Sequence, residues 1–201
     1  MVGRIFLFIV SVLLFQTTPS KLILFFGDSL TAGYGLSPEE AFPALVEKSM
    51  IKSGKAVRVV NAGLSGETSA GGLSRIDWIL RQPIDLFVLE LGGNDGLRGL
   101  PLDQTRKNLQ TIIDKLRIKY PSCKIVLAGM MVPPNMGKEY SSSFQRLYRE
   151  LAKKNNAVLI PFLLEGVGGI EKLNQADGIH PNAEGHKIVA SNLVKVLSPL
   201  L

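Results

Sequence analysis

Two histidines, His180 and His186, occur in 201 residues, and one of them stands where a general base could work. His180 follows Asp177 by three positions in Asp177-Gly178-Ile179-His180-Pro181-Asn182. A tight turn there brings a carboxylate to Nδ1, fixes the tautomer and leaves Nε2 free to accept a proton. Such a base needs a nucleophile, and Ser29 in Gly27-Asp28-Ser29-Leu30 starts a turn out of an apolar run. A helix start there points N–H groups outward and favours an oxyanion. The Ser29 N–H, the Gly63 N–H and the Asn94 amide are the candidate oxyanion donors. Removing one such donor costs a transition state about 2.7–4 kcal/mol. These are the parts of an acyl-transfer site.

Each part alone has a plainer reading. Asp-Gly belongs to turns, a serine after a strand caps a helix, and Gly63 and Asn94 suit positive φ. His186 lies in a helical pattern at the border of its apolar face and reads as a structural or half-exposed residue. Asp28 and Asp95 read as loop braces through Asx-type hydrogen bonds, because a second acid has no second histidine to serve.

The elements that must position these groups alternate along the chain. Apolar runs at Leu22–Phe26, Val57–Val60, Asp85–Leu91, Lys124–Gly129 and Ala157–Phe162 suit strands buried on both faces of a parallel sheet. Helical periods fill Pro38–Ile51, Ala70–Arg81, Asp103–Tyr120, Ser141–Asn155 and Asn182–Leu197. Ser37 is the expected N-cap of the first helix and Pro38 its first residue. Strand-helix alternation implies right-handed crossovers and an α/β/α sandwich. All strands then end along one sheet edge, and Ser29, Gly63, Asn94 and His180 each follow a strand.

Composition narrows the chemistry. Charged residues make up 20% and apolar residues 46%, which excludes a disordered chain. The single cysteine, Cys123, can build neither an intrachain disulfide nor a thiolate zinc site. No ligand-spaced cluster suggests a metal, and no cofactor is expected. The +6 charge forms no basic stripe interleaved with aromatics, so a nucleic-acid partner is not expected. Met1–Phe15 carries Arg4 and then an apolar run too short to span a bilayer but suited to a secretory leader. Residues 1–20 therefore read as a signal peptide, with an uncleaved membrane tether or a buried first strand as alternatives. Without them the chain holds 22 basic and 17 acidic residues, or +5. Residues 21–201 form one expected domain, exported to the periplasm or beyond.

Neither Gly-x-Ser-x-Gly, nor a P-loop, nor a dinucleotide fingerprint occurs. Gly27-Asp28-Ser29-Leu30, Gly63, Gly92-Gly93-Asn94-Asp95 and Asp177-x-x-His180 instead resemble the four blocks of the GDSL/SGNH hydrolases, in that family's order and over essentially all of residues 21–201. The resemblance implies a five-stranded parallel sheet in flavodoxin-like order. It implies Ser29 as nucleophile, His180 as base and Asp177 as its partner, with Ser29, Gly63 and Asn94 forming the oxyanion hole. It also points to the loop Met130–Met136, with Met131, Val132, Pro133 and Met136 as acyl-chain liners, although a merely exposed loop end is the alternative. The implied substrates are small acyl esters and thioesters, of aryl ester, acyl-CoA or lysophospholipid type, cleaved by a monomer with no stable membrane span. Two rival readings remain: an O-acetylesterase of carbohydrate or cell-wall polymers, and a non-catalytic flavodoxin-like binding module.

Overall fold

Runs of Ile, Leu, Val and Phe with few polar interruptions can satisfy their backbones and bury both faces only inside a sheet covered on two sides. The computed structural model describes residues 20–201 and follows this rule. Strand β1 (Lys21–Gly27) leads through the one-turn helix α1 (Ser29–Ala32) and α2 (Phe42–Lys52) to β2 (Val57–Gly63). Then come α3 (Ser69–Ile79), β3 (Leu86–Glu90), α4 (Gly93–Leu97), α5 (Leu102–Lys119), β4 (Lys124–Ala128), α6 (Lys138–Lys154), β5 (Val158–Ile160) and α7 (Ala183–Leu197). The expected leader falls almost wholly outside the described residues.

All pairings are parallel, in the order β2-β1-β3-β4-β5, so the expected flavodoxin-like sandwich is the observed one. Helix α2 packs with α7, while α3, α5 and α6 pack in sequence as a second layer. Ile23, Leu24, Phe25 and Phe26 of β1 and Leu86, Phe87 and Leu89 of β3 are fully buried. Each such side chain contributes about 1.5–3 kcal/mol over leaving it in water. In α5, Leu109, Ile112, Ile113 and Leu116 form the buried stripe that their three- and four-residue spacing predicts.

Boundaries differ where local chemistry competes. The first long helix begins at Phe42 with Pro43 in its first turn, not at Pro38. Ser37 closes a separate turn instead, donating from its N–H and hydroxyl to Glu40 Oε2 (3.2 and 2.8 Å). Pro43 suits a helix start because its missing N–H has no helical partner to lose. Helix α4 is absent from the sequence reading; its five residues, including Gly93 and Gly96, are too few to show a period.

His186 is more deeply buried than its pattern implies, at 1% exposure. Its Nδ1 accepts the Phe42 N–H (3.0 Å), and its ring stacks on Phe42 with centroids 5.7 Å apart. The structural reading of this residue holds, while its half-exposure does not. Burial, reinforced by the charge of His180, lowers its pKa to about 4. An unfolded chain titrates this ring near 6.5, so it binds more protons than the fold between these values. The stabilisation from a neutral His186 is full above pH 6.5 and is lost as the pH falls towards 4. We expect urea unfolding at pH 7 and pH 4.5 to show a larger acid loss in wild type than in His186→Asn, by up to about 3 kcal/mol. Asn retains an acceptor for Phe42 without titrating, and equal losses would contradict the assignment.

Candidate functional site

The sheet order reverses between β1 and β3, and the crevice at such a switch point is where open α/β folds bind ligands. Ser29 and Asn94 stand on its two sides, just past β1 and β3. Asp28 caps α1: its Oδ1 accepts the Leu30 N–H (3.0 Å), the Asx contact expected of it. Ser29 is thereby held at the first position of a helical turn.

His180 arrives on the loop before α7. Its Nε2 lies 2.9 Å from Ser29 Oγ, and its Nδ1 lies 2.6 Å from Asp177 Oδ2. The other carboxylate oxygen, Asp177 Oδ1, accepts the N–H groups of Ile179 (2.9 Å) and His180 (3.0 Å). The His180 N–H bond, then the imidazole and the Ile179 N–H, lower the Asp177 pKa to about 2. The carboxylate thus stays ionised beside the ring. Pro181 is not in the helix but precedes its N-cap, Asn182, which accepts from Glu184 and Gly185.

Two residues outside the sequence reading tie this loop to the serine side. The Tyr34 ring lies over His180, centroids 4.7 Å apart. Gln175 donates to the Tyr34 carbonyl (2.6 Å) and the Pro181 carbonyl (3.0 Å), bridging the two loops. A strap of one glutamine and two backbone carbonyls leaves no periodic signature in a sequence.

The candidate oxyanion donors fare differently. Asn94 Nδ2 faces the crevice and donates to Asp28 Oδ2 (3.1 Å) and the Glu67 carbonyl (3.0 Å). The Gly63 N–H does not fit the role expected of it. It donates to Asn61 Oδ1 (2.9 Å), and a Cβ at Gly63 would overlap the Ala32 backbone. This glycine is needed so that α1 can sit against β2. Gly66, by contrast, has open space around it at φ +79°, on the turn that touches Asn94 through Glu67 and Arg98 through its own carbonyl (3.1 Å). Among the described residues, its N–H engages no acceptor.

A cavity of about 540 Å3 opens beside Ser29 and His180. Met130, Met131, Val132 and Pro133 line it as expected, but Met136 does not. Phe162 and Leu164, from the segment after β5, add to its apolar wall, with Leu97 and Ile179. The first two were missed because that run reads as strand and loop end, with nothing to mark which way it turns. Cys123 takes no part: it is buried, and burial pushes its thiol up to about 12.

Asp95 corrects the local-brace reading. Its carboxylate accepts from Ser69 N–H (2.8 Å), Ser69 Oγ and Thr105 Oγ1 (3.1 Å), tying α4 to the starts of α3 and α5. Glu67 and Arg75 form a second tie. Arg75 bonds both Glu67 oxygens and the Ala62 carbonyl (2.8 Å), with its guanidinium 4.3 Å from the centre of the Phe26 ring.

Comparison with known proteins places the whole chain. A family model described as GDSL-like Lipase/Acylhydrolase matches residues 25–188. The chain is 42% identical over 191 residues to Esterase TesA of Pseudomonas aeruginosa, covering 94% of each. It is 39% identical to Thioesterase 1/protease 1/lysophospholipase L1 of Escherichia coli K12, covering 98% of this chain and 92% of that protein. A crystal structure of TesA superposes with TM-score 0.86 at 42% identity, over 90% of this chain and 100% of that one.

Asp95→Ala leaves three buried donors without their acceptor. We expect it to cost about 3 kcal/mol in urea unfolding, by the scale for stripping a buried carboxylate from its partners. Asp95→Asn, which keeps one acceptor oxygen, should lose less; equal losses in the two variants would contradict the clamp.

Proposed function

Because the chain belongs to the GDSL-like lipase/acylhydrolase family and is a serine ester hydrolase, we propose that it cleaves acyl esters and thioesters through an acyl-enzyme on Ser29. The observation that carries this reading is the unbroken line from Ser29 Oγ through His180 to Asp177 at the mouth of an apolar cavity.

In the proposed cycle His180 Nε2 takes the Ser29 proton as Oγ attacks the carbonyl carbon. Asp177 holds the ring tautomer and stabilises the imidazolium. The departing alkoxide or thiolate takes the proton from His180, and a water, deprotonated by the same ring, releases the acid. The oxyanion is assigned to the Ser29 N–H and the Asn94 amide. Gly66 replaces Gly63 as the third donor, on the ground that its N–H is unengaged while Gly63 is committed to Asn61.

The acyl chain is assigned to the cavity walled by Met130, Met131, Val132, Pro133, Phe162 and Leu164. Methionine adapts to alkyl chains of varied shape. That lining favours fatty acyl groups, lysophospholipid among them, over a sugar acetate. We also read residues 1–20 as an export leader that places the enzyme in the periplasm or outside the cell, acting as a monomer.

A fluorophosphonate probe should label the wild-type chain once, on the peptide holding Ser29, and Ser29→Ala should lose both labelling and p-nitrophenyl butyrate hydrolysis. Ser29→Ala with near-wild-type turnover would overturn the mechanism. Intact mass of the labelled, exported protein should also read a start near residue 21.

Val132→Phe should narrow the cavity and shift the preferred p-nitrophenyl ester to shorter chains. An unchanged chain-length profile would remove the acyl assignment.

A further inference from the structure

Glu90 is a charged residue type in the least hospitable place in the molecule. It ends β3, it is fully buried, and in register it faces Gly27, the last residue of β1. Its Oε2 accepts the Asp28 N–H (3.1 Å) and the Thr31 hydroxyl (2.7 Å), so the carboxyl holds both ends of the Asp28-Ser29-Leu30-Thr31 turn. Its Oε1 has no hydrogen-bond partner among the described residues. A Cβ on Gly27 would overlap Glu90 Oε2 and Thr31 Oγ1, so the glycine beside the nucleophile turn leaves the room that this carboxyl occupies.

A buried polar atom without a partner is costly, and a hydrophobic residue would fill the same space without that cost. The cost implies a task that only an acceptor at this point performs. We propose that Glu90 is a positioning residue for Ser29, fixing the Ser29 turn through Asp28 and Thr31. This rests on the assignment of Ser29 as nucleophile.

The surroundings favour the neutral form of this carboxyl. Burial first, and the Asp28 carboxyl second, raise Glu90 well above the ordinary range, while burial raises Asp28 itself to about 6. Tyr148, fully buried close by, donates to the Leu91 carbonyl (3.0 Å) and not to Glu90, and among the described residues Glu90 forms no ion pair. A negative Glu90 beneath the turn would also oppose the oxyanion forming above it.

The test compares Glu90→Gln, Glu90→Met and Thr31→Val by kcat and KM on p-nitrophenyl butyrate. Active sites are counted by fluorophosphonate stoichiometry, and folding is followed by Tm. Glu90→Gln, which keeps the acceptor and lacks a charge, should stay within about threefold of wild type. Glu90→Met, of similar length with no acceptor, should lose at least tenfold in kcat with KM nearly unchanged, because the turn is released and the acyl cavity is not touched. Thr31→Val, removing one of the two anchors, should fall between them. A folded Glu90→Met with wild-type kcat overturns the proposal, and so does Glu90→Gln falling as far as Glu90→Met. If Glu90→Met does not fold, Thr31→Val decides: wild-type kcat refutes the positioning role. The Ser29→Ala control separates the two layers, since an active Ser29→Ala refutes the underlying mechanism and an inactive one leaves only the Glu90 assignment in question.

Discussion

Everything at the site depends on three strands ending in step. Gly27 pairs with Gly63 on one side and with Glu90 on the other, so the exits of β1, β2 and β3 leave the sheet at one level. Parallel hydrogen bonding sets that level, and each strand's side chains merely hold it in place by burial. Once it is set, Ser29 and Asn94 face a common crevice although they are distant in sequence, and the Gly66 turn is held against Asn94. A slip of one residue in β1 would send its fully buried Phe25 and Phe26 each to the other face of the sheet and carry Ser29 out of line with Asn94. Core packing and the site's alignment are therefore one constraint.

The polar groups around the crevice divide into two kinds. Asp177 lies near the surface, is held by backbone N–H groups and remains ionised. Asp28 and Glu90 lie under the turn, and burial pushes both towards the neutral form. Three carboxyl groups near one serine thus need not all repel an oxyanion: the charged one faces the imidazole, and the buried ones act as hydrogen-bonding frames. Asn94 is anchored to the buried kind, since its amide donates to the Asp28 carboxyl and to the Glu67 backbone carbonyl. Its proposed service to an oxyanion requires sharing one of those bonds during turnover.

Much of this was legible in the sequence because it is local or periodic. The strands are apolar on both faces, α5 repeats its stripe, and Asp177 and His180 are three residues apart, close enough for one turn to join them. What escaped was long-range or non-periodic. Gly63 looked free because nothing in the sequence shows that Asn61 turns back on its N–H. Asp95 looked like a loop brace because its partners, Ser69 and Thr105, come from two other helices. Glu90 drew no notice within its apolar run, since its partners across 62 and 59 positions have no local signature. Pro43 outweighed Ser37 at the start of α2, where two adjacent capping signals competed and one became a turn.

Base and carboxylate share one short segment, whereas the serine sits 151 residues away on another. At the site itself the two are joined by one side-chain bond, a ring contact and the Gln175 strap, none of them in the sheet. Cooperative units with few buried apolar contacts open at a lower free energy than the core. A local opening of this segment would stop hydrolysis without unfolding the domain, so loss of activity and loss of fold are separable events in this molecule.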